Sequence, residues 1–126
     1  MRKARDRRPD AAIGHVALKV ERVAVAIATF TALGLRPIVS EDDFAVMELR
    51  GGTHLVLRRA AAPRRVSAAP FDLMYDDVAA ARRRCQSLRL RPTALKRGRI
   101  HDWFTFVGPG RHRFTVYSSH ASQQPV

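Results

Sequence analysis

Apolar and polar residues alternate from Ile13 to Val20, with Val16, Leu18 and Val20 on one side and His15, Ala17 and Lys19 on the other. That period of two marks a strand with one buried face. From Arg22 to Leu33 the period changes: Val23, Ala26, Ile27, Phe30 and Leu33 share a helical face, and Gly34 is placed to end the helix. Leu35-Arg36-Pro37 leads into a short edge strand, and Phe44 to Leu49 and His54 to Leu57 read as two strands around a turn at Gly51-Gly52. Ala60 to Ala69, rich in alanine and holding Pro63, reads as a connector. The same order then returns. Phe71 to Tyr75 is a strand, Asp77 to Leu88 a helix that an aspartate can cap, and Thr93 to Leu95 a short strand. Trp103 to Val107 and Arg113 to Tyr117 are strands around Gly108-Pro109-Gly110.

The second half repeats the first residue by residue. Moved forward by 55, residues 15–38 lie on residues 70–93: Leu18 meets Leu73, Val23 meets Val78, Ala26 meets Ala81, and Leu35-Arg36-Pro37 meets Leu90-Arg91-Pro92. After a four-residue insertion the shift becomes 59, bringing Phe44 onto Trp103 and Gly51 onto Gly110. One supersecondary unit is therefore built twice. Two copies are too few for a solenoid and each is too small to bury a core alone, so they are expected to pair and to enclose the functional surface. The reading is a single domain over 13–119, with module one at 13–59, the connector at 60–69 and module two at 70–119. Tails of 1–12, basic and disordered, and 120–126 flank it.

Composition narrows the function less than the pattern narrows the fold. The formal charge is +12, and Arg82 to Arg99 holds eight Arg or Lys and no acid. Such a field attracts anions and repels cations. Aromatic residues are not interleaved with these arginines, and no nucleic-acid-binding signature is present, so a specific nucleic-acid partner is not expected. No apolar run approaches the roughly 20 residues of a membrane span, and the charged start lacks a secretion signal, which predicts a cytoplasmic protein with no membrane partner. The single cysteine, Cys85, sits on the second helix and reads as a small packing residue. The second helix carries Arg82, Arg83 and Arg84, whereas the first is apolar nearly all round, so the first is expected to be more deeply buried or to lie at a subunit contact.

Two strand-helix-three-strand modules, opening with Ile13-Gly14-His15-Val16-Ala17-Leu18-Lys19-Val20 and leaving the helix through Ala32-Leu33-Gly34-Leu35-Arg36-Pro37, resemble the vicinal oxygen chelate superfamily. That group includes glyoxalase I, bleomycin-resistance proteins, fosfomycin-resistance enzymes and extradiol dioxygenases. The resemblance implies an α+β fold in which two βαβββ modules form a half-open, barrel-like cleft, commonly shared between two chains of a homodimer. With His15 facing the cleft, strand parity selects its companions. In module one these are Ala17 and Lys19; Phe44, Val46 and Glu48; and His54, Val56 and Arg58. In module two they are Asp72 and Met74; His101, Trp103 and Thr105; and Arg113, Thr115 and Tyr117.

The superfamily's metalloenzymes hold their ion at four positions that fall here on His15, Val56, Pro70 and Thr115. Valine and proline have no side-chain donor and a neutral threonine is a poor one, so no metal and no other cofactor is expected. A displaced set of His15, His54, Asp72 and His101 is the alternative. His112 and His120 read as surface residues. Without metal, the cleft offers Trp103, Phe44 and Tyr117 for stacking and Lys19, Arg58 and Arg113 for an anion. The expected function is therefore sequestration or sensing of a small anionic or aromatic ligand. Two rivals are a lyase, isomerase or dioxygenase using the displaced histidines, and a basic module for nucleic acid or an acidic protein.

Overall fold

The duplication is visible strand by strand in the computed structural model, which describes residues 5–119 and Pro125. The first four residues of the expected basic tail lie outside the described residues, as do His120 and most of the expected C-terminal tail. Module one contains β1 (His15–Val20), α1 (Val23–Ala32), β2 (Arg36–Ser40), β3 (Phe44–Glu48) and β4 (His54–Arg59). The connector adds β5 (Ser67–Ala68), and module two contains β6 (Leu73–Tyr75), α2 (Val78–Ser87), β7 (Lys96–Arg97), β8 (Asp102–Gly108) and β9 (His112–Ser118). The first sheet runs β1-β4-β3-β2; the second runs β5-β9-β8-β7, with β6 also on β9. Leu18 pairs with Leu57 across β1 and β4, and their counterparts Leu73 and Val116 pair across β6 and β9. Phe44 opposite Arg58 likewise becomes Trp103 opposite Tyr117.

Each sheet buries one face beneath one helix. Leu18, Val20, Ala45, Met47, Leu55 and Leu57 form that face in module one, and Leu73, Phe104, Phe106, Phe114 and Val116 in module two. The helices press the same three positions inward: Val23, Ala26 and Phe30 in α1, Val78, Ala81 and Cys85 in α2. Of the two alternatives expected for α1, deeper burial is thus corrected, because each helix covers a single sheet and buries three matching positions; the subunit contact is the alternative that remains. The outer side of α1 stays open, with Val25 51% exposed. Phe114 is where the modules meet: its ring lies 5.8 Å from Phe30 of α1, edge-on, and stacks 5.3 Å from Phe106. Such aromatic pairs add stabilisation beyond the area they bury.

Both helices end in the same way, though only one has the residue suited to it. Leu35 N–H bonds Phe30 C=O while Gly34 N–H bonds Thr31 C=O, and in module two Leu90 bonds Cys85 while Arg89 bonds Gln86. This is a Schellman ending, which needs a left-handed residue. Gly34 adopts φ 103° without cost, whereas Arg89 is held at φ 60°.

Module two is less regular than the pattern suggested. The connector holds β5, whose Ser67 and Ala68 pair with His112 and Arg113. Between Ala68 and Leu73 five steps of chain cover three of β9, so β6 begins at Leu73 rather than Phe71. Pro70, which has no N–H to give to a ladder, lies in that bulge. The short strand near Thr93 forms at Lys96–Arg97 instead, although Thr93 N–H still bonds Thr105 C=O at 2.9 Å. The two sheets do not close into a barrel.

Candidate functional site

The face of each sheet turned from its helix carries the chemistry, and register sorts it into rows. In the first sheet Arg36, Glu48, His54 and His15 are successive cross-strand partners over all four strands. Two residues along β1, β3 and β4, and three along β2 past its bulge, Val39, Val46, Val56 and Ala17 form a wholly apolar row. Two further along, Phe44, Arg58 and Lys19 make a row of one aromatic ring and two cations. The alternation predicted for β1, β3 and β4 holds: Ala45, Met47, Leu55, Leu57, Leu18 and Val20 are buried between them, while the bulged edge strand β2 buries no residue.

The polar row is a connected chain. Arg36 donates to one oxygen of Glu48, and His54 Nε2 lies 3.4 Å from the other. Arg36 first, then His54, holds the Glu48 carboxyl below its usual range, so it stays ionised in neutral solution. The His54 ring meets His15 edge-on at 5.5 Å. In the cationic row the Arg58 guanidinium lies 5.4 Å over the Phe44 ring, and Lys19 stands directly across from Arg58. A groove of about 350 Å³ opens beside this row, lined by Ala17, Leu18, Lys19, Arg58, Pro70 and His112. Residues of both modules line it, so it sits where the two sheets adjoin.

His112 is not the surface residue expected. It is half-buried, its Nε2 donates to Lys19 C=O at 2.9 Å, and its Nδ1 is enclosed without a partner. Its side chain faces the free edge of β1, so the bond ties β9 to β1 across the groove. Tyr75 makes a second tie, donating to Leu33 C=O at 2.6 Å. Burial pushes its phenol up to about 12.

The second sheet presents a matching shelf. Met74, Tyr117, Trp103 and Lys96 are successive partners across β6, β9, β8 and β7. Lys96 Nζ sits 4.8 Å over the Trp103 ring, and the His101 ring lies 5.5 Å from Tyr117. The sequence reading missed Lys96, because the short strand was placed three residues early. Beside this row Thr115 faces Thr105, whose hydroxyl lies 3.3 Å from that of Thr93. Asp72, Met74 and Arg113 are exposed at the margin.

The donors of the superfamily's metal do not fit here. Val56 belongs to the apolar row, Pro70 lines the groove and Thr115 faces another threonine, which leaves His15 alone. The displaced set is not assembled either. His15 and His54 are neighbours, but His101 stands just before β8 in module two with Nδ1 2.7 Å from Ser118 C=O. Among the described residues no three His, Cys, Asp or Glu side chains converge.

Paired βαβββ modules with an open-faced cleft define a known class of fold. It is the vicinal oxygen chelate fold, and solved structures of that class match this chain over most of its length. A lactoylglutathione lyase from Agrobacterium tumefaciens is 19% identical, with a TM-score of 0.70, covering 89% of this chain and 96% of that one. A fosfomycin resistance protein from Listeria monocytogenes is 14% identical, with a TM-score of 0.74 and coverage of 88% and 93%. A bleomycin resistance determinant encoded on transposon Tn5 is 16% identical, with a TM-score of 0.64 and coverage of 86% and 98%. At these identities the likeness establishes the fold. No family model matches the chain, and no curated protein does. No helix among the described residues is long and apolar enough to cross a membrane.

Proposed function

We propose that the cleft binds a small aromatic acid without the superfamily's metal, in sequestration or sensing. The observation that supports this most is the cationic row beside the groove, where Lys19 and Arg58 stand side by side next to the Phe44 ring. Two adjacent cations repel one another and gain from a shared anion, and arginine can hold a carboxylate through two parallel hydrogen bonds. The Trp103–Tyr117 shelf offers a second flat apolar surface. A charge of +12 further favours an acid over a cationic drug.

The protein works as a homodimer in this reading, with a second copy on the open side of α1 at Ala24, Val25 and Ala28. Sedimentation that shows only monomers at micromolar concentration removes that part. For the ligand, chelator-treated protein is screened by thermal shift against aryl carboxylates, aryl amines and uncharged aromatics, since a ligand that prefers the folded state raises the melting temperature. Stabilisation by the carboxylates alone supports the reading. Stabilisation by the amines alone, or by divalent metal in place of any organic acid, contradicts it.

A further inference from the structure

The three rows of the first sheet differ in chemistry at a fixed spacing. Lys19 and His15 lie four residues apart on β1, as do Arg58 and His54 on β4. At the rise of an extended strand, the cationic row and the histidine row are about 13 Å apart. Between them lies only the apolar row, with Ala17, Val56 and Val46 at its centre. A ligand anchored by its carboxylate at Lys19 and Arg58 runs over an apolar floor and ends at His54.

The far end has its own preference. Glu48 is ionised there and accepts from both Arg36 and His54. In the tautomer whose Nε2–H engages Glu48, the His54 ring keeps Nδ1 as an acceptor, and the neighbouring His15 ring brings a further donor. A second anion at this end meets the Glu48 charge; a neutral hydroxyl, which donates and accepts, does not. The geometry points to a ligand class: rod-shaped aromatic monoacids of about two para-linked rings, with a hydroxyl at the end remote from the acid. This assignment rests on the binding reading above and adds a length and a far-end group to it.

The test compares biphenyl-4-carboxylate with 4′-hydroxybiphenyl-4-carboxylate by calorimetric titration of the full chain at constant pH and salt. One added hydrogen bond in a partly shielded site is expected to tighten binding about tenfold. That gain, read as the ratio of the two affinities, should vanish in His54→Ala. Benzoate and 4-hydroxybenzoate, too short to span the rows, should bind alike. Unfolding curves of His54→Ala and of His15→Ala confirm a folded protein in each case. If both biphenyl acids bind wild type equally, or if the gain survives His54→Ala, the assignment fails and the binding reading stands. If neither acid binds, both fall together.

Discussion

The duplication supplies its own control for how tightly the two sheets are joined. Gly51 and Gly110 occupy the same place in the two copies, each in a single 3-10 turn, at φ 79° and φ 75°. A Cβ on Gly51 meets nothing within 4 Å, whereas one on Gly110 falls 2.5 Å from Lys19 C=O and 2.8 Å from the His112 ring. Alanine at either site carries the left-handed penalty, a net loss of about 1 kcal/mol once the stiffer unfolded chain is counted. At Gly110 it must also push the turn off β1, and overpacking against backbone adds about 2 kcal/mol more. For 126 residues the entropy of unfolding makes 1 kcal/mol worth about 4 °C in melting temperature. Gly51→Ala should therefore melt about 4 °C lower and Gly110→Ala about 11 °C lower, measured by calorimetry at one concentration and pH. Equal losses would mean that the second turn does not press on β1 and does not shape the groove.

Further expectations follow from other positions. Arg89→Gly should raise stability by about 0.5–1 kcal/mol in urea unfolding, since it gives α2 the left-handed residue that Gly34 gives α1; a loss would show that the arginine side chain matters more than its backbone. The lowered Glu48 pKa means that its ion pairs stabilise the fold above the ordinary carboxylate range, near 4.5, and that this contribution fades as pH falls below it. Glu48→Gln should accordingly show a shallower acid loss of stability than wild type, and identical acid limbs would refute the pairing. Cys85 is 1% exposed and burial pushes its thiol up to about 11, so an aromatic disulfide reagent should leave it untouched until the chain unfolds. Because that pKa is raised, the thiol's contribution is complete below about 9 and is lost as pH climbs through about 11. Cys85→Ala should remove part of that alkaline slope.

Parity and repetition made much of the site legible before the structure. Alternation from His15 to Val20 set which side of β1 is open, and the shift of 59 carried the same parity to Trp103 and Tyr117. What parity does not carry is who stands opposite whom. The Arg36–Glu48–His54–His15 chain depends on register across four strands, so Arg36 shows in the sequence only as part of the exit from α1, and Lys96 was lost to a three-residue error in a two-residue strand. Strand β5 was hidden because serine and alanine have little preference for strands; its pairing comes from β9 lying alongside. His112 was misjudged for a related reason. Its parity pointed away from the cleft, but the edge of β1 covers that side, and this follows only from how the two modules meet.

We propose a metal-free cleft that holds an aromatic acid on Lys19 and Arg58. The most direct test is calorimetric titration of chelator-treated protein with biphenyl-4-carboxylate, in wild type and in the Lys19→Ala/Arg58→Ala double variant. Both side chains are exposed and lie outside the buried core, so the variant should fold as wild type does. Wild type should bind saturably, and the variant about tenfold or more weakly. Equal affinity in both proteins, or binding that appears only once a divalent metal is restored, would contradict this reading.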